Sequence, residues 1–444
     1  MYSSLFNRWS AVLLRAVVVT GLAAAAAWPA AAQAPATSAP TADKELEAAA
    51  AKVRDGKIDE ALGLIKQKAA KHPGWPPAQL ILARLLFGAN QVAPARRALE
   101  QAAMEAPDEP EVYLTLGSLA LGEGRISDAR LNFDQVLALA HAGRGDTDKT
   151  KLLRREALAG LATVAEARGD WKMAQERLKA WLELDPKNGQ LRERLGRALF
   201  LLGKTDDAFA ALTQAVKDVP ALEPAAVTMA RLYSQKGDAR KAEEWFDQAG
   251  KTEPKSAKVR LAHAAWLLDQ GRTADASAET DAAAKLDPAL KDAQRVRGLV
   301  AWHLRDLAGA EAVLEPLHRD APADSVVANL LALALIEQDD SAKRSRGLQL
   351  AEVNALQFPR SAEVMATLGW ALFRAGRIDE ADQKLRAAVA SGRTTPDIAY
   401  FLARVMAEKG QTDDARKLLQ SATSLHGGFA HRDDATSLLQ SLKK

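Results

Sequence analysis

Across residues 189–290, small, large and ring-bearing positions recur in one fixed order. Gly203, Gly237 and Gly271 are each followed five residues later by Ala208, Ala242 and Ala276, and twelve residues after that by Pro220, Pro254 and Pro288. The period is 34 residues. Taken as phase markers, these glycines extend to a series of Gly56, Asn90, Gly124, Gly169, Gly203, Gly237, Gly271, Arg305, Asp339, Gly376 and Gly410. Seven residues before every marker stands Ala or Gly, and five after it a second Ala, with the ninth repeat alone out of register. Nine after it comes a larger apolar residue, such as Ile65, Leu99, Phe133, Leu178, Leu212, Phe246, Leu314, Leu385 or Leu419. Small positions let helices approach closely, and a proline ends a helix because its ring cannot continue one. Abundant Ala and Leu with only 5% aromatic residues point the same way, to an all-α chain.

In period and in residue types the pattern resembles the tetratricopeptide repeat. The resemblance implies two antiparallel helices per unit and an all-α, right-handed α-solenoid of about eleven hairpins over residues 42–425, with a C-terminal capping segment over 426–444. The turn residue must then take a left-handed backbone, which Gly adopts freely and Asn and Asp tolerate; Arg305 is the exception. Two irregularities interrupt the phase. Eleven residues are added around 141–151, expected as a surface loop, and three more make the unit near 338–359 irregular.

At the N-terminus, Arg8 and Arg15 precede an apolar run over 16–27 and a small-residue stretch ending near Ala32. Residues 1–32 read as a secretory signal, and residues 33–41, rich in Pro, Ala, Ser and Thr, as a flexible linker. An uncleaved membrane anchor is the alternative, since the apolar stretch can be extended to about 19 residues. Sixty Lys and Arg nearly cancel 57 Asp and Glu, which argues against a nucleic-acid binder. No Cys is present, so disulfides, thiol catalysis and thiolate metal sites are excluded.

Candidate chemistry is sparse. None of the seven His falls in an HExxH or HxxxH spacing, and His426 and His431, beside Asp433 and Asp434, read as solvated residues near a chain end. Residues 143–150 superficially resemble a phosphate loop but lack its Gly at position 148 and a preceding strand. No GxSxG elbow is found. The expectation is a chain that is not an enzyme and needs no cofactor or metal.

Carried over position by position, the resemblance puts Arg84, Arg197, Arg231, Trp370 and Arg404 on the concave groove at the ninth place of their units. Glu193, Arg295, Asn329 and Tyr400 follow at the fifth place. The groove is thereby expected to grade from an Arg-bearing first half, suited to an extended acidic segment, to an apolar and aromatic second half. The expected role is a scaffold that holds protein partners in the bacterial envelope, exported and periplasmic, within polysaccharide export, outer-membrane or pilus assembly. A membrane-anchored structural protein and a glycan- or polymer-binding accessory of an envelope enzyme are the alternatives.

Overall fold

The computed structural model describes residues 44–142, 147–391, 394–425 and 427–442. The expected signal peptide and linker lie outside them. Among the described residues there are 23 α-helices and no strand. The chain forms two compact units that meet in sequence at Ala225 and Ala226.

In the first unit the hairpins are α1 (Lys44–Arg54) with α2 (Ile58–Ala69), α3 (Ala78–Gly88) with α4 (Val92–Glu105), α5 (Pro110–Gly122) with α6 (Ile126–Ala142), α7 (Asp148–Arg168) with α8 (Trp171–Leu184), and α9 (Gly189–Leu201) with α10 (Thr205–Asp218). The second unit continues with α11 (Ala225–Lys236) and α12 (Ala239–Thr252), α13 (Ala257–Asp269) and α14 (Thr273–Leu286), α15 (Lys291–His303) and α16 (Leu307–Asp320), and α17 (Ser325–Ile336) and α18 (Ser341–Gln357). It ends with α19 (Ala362–Arg374) and α20 (Ile378–Ala390), α21 (Pro396–Glu408) and α22 (Thr412–Ser424), and a single helix α23 (Arg432–Ser441) that packs on α22 and α21. Eleven hairpins and a capping helix are therefore present, and within each unit consecutive helices pack in pairs.

Local chemistry sets the ends of these helices. The side chains of Asn188, Ser256, Asp324, Ser361 and Thr395 each accept a backbone N–H from the first turn of the helix that follows. Inside a hairpin, the small residue before the turn is the seat of the large residue after it. A Cβ placed on Gly196 would lie 2.7 Å from Leu212 Cγ, on Gly298 2.5 Å from Leu314 Cδ2, and on Gly369 2.6 Å from Leu385 Cγ. Phe133 is gripped from two sides, 2.8 Å from such an atom on Gly117 and 2.4 Å from one on Gly160.

Two expectations are corrected. Residues 147–151 are not a loop: Thr147 caps α7, which begins at Asp148 and runs 21 residues, while α6 carries on through His141 and Ala142. Arg144, Gly145 and Asp146 lie outside the described residues. Asp339 is not left-handed; the only positive-φ residues other than Gly among the described residues are Asn90 and Arg305. The ninth turn is instead four residues long, 337–340, and Asp340 caps α18. The second small contact falls three residues further into the second helix than in other units, at Gly347, whose Cβ would meet Ile336 Cγ1 at 2.8 Å and the Ala332 carbonyl at 3.0 Å. The register slips by three residues and the close approach is kept.

A Leu at position 196 has no room beside Leu212. Gly196→Leu is expected to cost about 1–3 kcal/mol and to speed amide exchange in α9, α10 and their immediate neighbours, while α1 and α2 keep their protection. Uniform loss of protection throughout residues 44–225 would contradict this.

Candidate functional site

In the first unit the arginines of the expected groove face meet carboxylates of the chain itself. Arg84 Nη2 donates to Glu111 Oε2 at 2.6 Å, and Lys149 Nζ lies 2.8 Å from Glu111 Oε1. Burial raises the proton affinity of Glu111, but the hydrogen bonds and charges of Lys149 and Arg84 outweigh it and hold the carboxyl below its ordinary value. Arg197 Nη2 donates to Glu193 Oε1 at 2.6 Å, one turn away on the same helix, and both residues are half-buried. Ser118 and Thr163, at the same place in their units, are half-buried.

Within the second unit, Arg231 opposes the effect of burial on Asp269, whose carboxyl is nevertheless pushed up to about 7. Arg295 bridges Asp292 and the capping residue Asp324. Asn329 is buried with no partner for its Oδ1 among the described residues, and nothing in the structure explains its choice. Arg404 lays its guanidinium 5.8 Å from the centre of the Phe373 ring.

Trp370 and Tyr400 come together, and both are covered by the chain's own C-terminal segment. Residues 427–431 run across the first helices of hairpins 7 to 11. Gly427 and Gly428 lie on the end of α13, where a Cβ would sit 2.9 Å from the Asp269 carbonyl oxygen and 2.8 Å from that of Leu268. Further on, the backbone N–H groups of Ala430 and His431 donate to the Asp397 carboxylate at 3.3 and 3.1 Å. Two or three residues of strap thus separate a contact with hairpin 7 from one with hairpin 11. A five-residue segment spans at most about 17 Å, whereas five helices side by side at 8–10 Å spread over roughly 30–40 Å. The first-helix faces of these hairpins must therefore curl around the segment.

His431 is the centre of the contact and is almost fully buried. Its Nδ1 lies 2.7 Å from Asp397 Oδ1 and its Nε2 3.0 Å from Glu337 Oε1. Tyr400 stacks on the imidazole with ring centroids 5.0 Å apart, and Trp302, Trp370 and Phe401 present their rings across it at 5.1–6.1 Å. Trp370 Nε1 also donates to Glu337 Oε1 at 3.1 Å, and Arg305 pairs with Glu337 Oε2. Arg305 is the marker that replaces Gly; it takes the left-handed backbone, with φ 63°, and sends its guanidinium into this cluster. Burial opposes a charged imidazole, but the hydrogen bonds and charges of Asp397 and Glu337 outweigh it, and the group is pushed up to about 9. Neighbouring His303 is held below its ordinary value by burial, and Tyr400 is pushed up to about 12, again chiefly by burial.

The expectation of solvated histidines at the chain end is thus wrong for His431, and His426 lies outside the described residues. Glu337, Asp397, His431, Trp302 and Arg305 were missed as site residues. The signals that point to them are the Arg at a glycine position, the acid closing the otherwise apolar α17, and the Gly427-Gly428 break.

A family model described as tetratricopeptide repeat matches residues 52–119, 199–265 and 372–432, and a second with the same description matches 159–223 and 261–325. Together they cover more than half of the chain. No curated protein matches it. Among solved structures, a thermophilic TPR protein from Thermus thermophilus is 19% identical, with 42% of this chain and 99% of that one covered and a TM-score of 0.36. Yeast Tom70 is 15% identical over 89% of this chain and 94% of its own, with a TM-score of 0.35. A tetratricopeptide repeat protein from Parabacteroides merdae is 16% identical over 66% and 99%, with a TM-score of 0.36.

Because the folded imidazole binds its proton more tightly than the free one, whose ordinary value is 6.5, its contribution is complete below about pH 6.5 and is lost as pH rises through about 9. The loss is expected to reach on the order of 3 kcal/mol. Urea unfolding of the second unit from pH 6 to 10 should show this decline in the wild type and lack its upper part, near pH 9, in His431→Gln; the Asp269 titration near 7 is common to both. Identical profiles above pH 8 would refute the assignment.

Proposed function

The chain belongs to the tetratricopeptide repeat family, and from that premise we propose that it is a non-catalytic scaffold of the bacterial envelope that holds extended segments of partner proteins on its first-helix faces. The observation that carries this reading is the strap itself: five consecutive first helices already hold an irregular piece of chain by side-chain and backbone contacts. A surface built of repeated helix faces offers such contacts without the closed, water-excluding pocket that chemistry usually needs. Export rests on the basic, apolar and small-residue order of residues 1–32, with a periplasmic location the consequence. Partners in polysaccharide export, outer-membrane assembly or pilus assembly would fit that location.

Arg197 is the best-placed residue for an acidic segment in the first unit. Its bond to Glu193 is a half-buried pair four residues apart on one helix, and such pairs contribute only about 0.2–1 kcal/mol, so a ligand carboxylate can take Glu193's place. Arg84 is less suited, because its fork already satisfies a buried carboxylate.

Two measurements test the proposal. The mature protein isolated from its native envelope should start at Gln33, and retention of residues 16–27 would favour the membrane-anchored alternative. Crosslinking followed by affinity purification should recover a protein partner whose affinity falls about two- to fivefold in Arg197→Ala, with a weaker dependence on salt. An affinity that does not change would remove Arg197 from the binding face.

A further inference from the structure

The strap's surroundings are built for a cation. Glu337 and Asp397 are both buried, and among the described residues they are balanced by two positive groups in contact with them, the Arg305 guanidinium and the His431 imidazolium. Without His431 the cluster would keep two carboxylates against one guanidinium, inside a wall of Trp302, Trp370, Tyr400 and Phe401. An uncompensated buried carboxylate is strongly unfavourable, and aromatic faces attract cations, so the vacated site calls for a positive group. A tail needed only to cover an apolar face would be held as well or better by apolar contacts, because burying charges seldom adds net stability and instead selects what fits. The backbone half of the site is equally selective. Two carbonyl groups at the end of α13 leave no space for side chains at the positions of Gly427 and Gly428, while the Asp397 carboxylate receives two successive N–H groups of the strap.

We propose that the first-helix face of hairpins 7 to 11 is a binding site for a protein segment that carries a cationic side chain three residues after the second of two consecutive glycines, and that the chain's own residues 427–431 occupy it as an intramolecular ligand. A partner segment of that chemistry displaces the strap and delivers its cation between Glu337 and Asp397. The inference rests on the scaffold reading for the nature of the occupant, and its test needs no natural partner. Failure of partner capture from the envelope and failure here are therefore separate results.

The test uses the full chain with the strap released by Gly428→Val and His431→Ala, which leave every wall residue of the site in place. The probe is a labelled synthetic peptide with the sequence of residues 427–435, followed by fluorescence anisotropy. The released chain is expected to bind it at least tenfold more tightly than the wild type, whose site is filled. A peptide with Ala in place of His should lose at least tenfold, one with Arg there should retain binding, and adding Glu337→Gln to the released chain should weaken it. Equal binding by wild type and released chain, or binding indifferent to the cation, would overturn the proposal. Should circular dichroism show that the double variant has unfolded, Gly428→Ala alone provides the released chain, since even one methyl there meets the Leu268 carbonyl; the same outcomes then decide.

Discussion

Everything in this chain depends on how closely the two helices of a hairpin can approach. The seat formed by Ala or Gly before the turn, filled by a larger side chain after it, fixes both the distance between the helices and their rotation. Where the seat is Gly, as at Gly196 beneath Leu212 or Gly298 beneath Leu314, a single added carbon already falls inside contact distance. That constraint explains why the period persists while much else drifts. Hairpin 9 has a longer turn and has lost its left-handed marker, yet it keeps Ala332 before the turn and regains its second small contact at Gly347, three residues later than in the other hairpins. Preserving the contact mattered more than preserving the spacing, because packed interiors tolerate neither overlap nor voids.

Much of this was legible in the sequence, and what was not shares one physical cause. Turn glycines, small seats, large fillers and closing prolines act over a few residues, so their spacing carries the hairpin directly. Arg305 could not be understood that way. Placing an ordinary residue in the left-handed region costs roughly 1–2 kcal/mol, and what its guanidinium gains lies at Glu337, 32 residues on. His431 was equally opaque: a histidine near a chain end, beside two aspartates, looks solvated until the fold brings Glu337 and Asp397 to either side of it. Position within the repeat did place Trp370 and Tyr400 on a shared face, but it could not say that another part of the chain covers them. The pairing of Arg84 was not readable, since Glu111 reaches it only once neighbouring hairpins stack, whereas the Arg197–Glu193 pair lies four residues apart on one helix and follows from spacing alone.

The strap also changes what kind of object the second unit is. In a simple array of repeats each hairpin touches only its neighbours, so stability is a sum of local terms and the ends can fray independently. A segment that follows α22 and rests on the end of α13 ties hairpin 11 to hairpin 7. Opening any hairpin between them then disturbs two sets of contacts, those with its neighbours and those that keep the strap seated. The same bond ties stability to charge, because the seat is neutral only while a cation fills it. Hairpins 7 to 11 are accordingly more cooperative when their groove is filled than when it is empty, and a ligand that replaces the strap inherits that coupling. Binding of the proposed segment at this face is thereby linked to the rigidity of five hairpins.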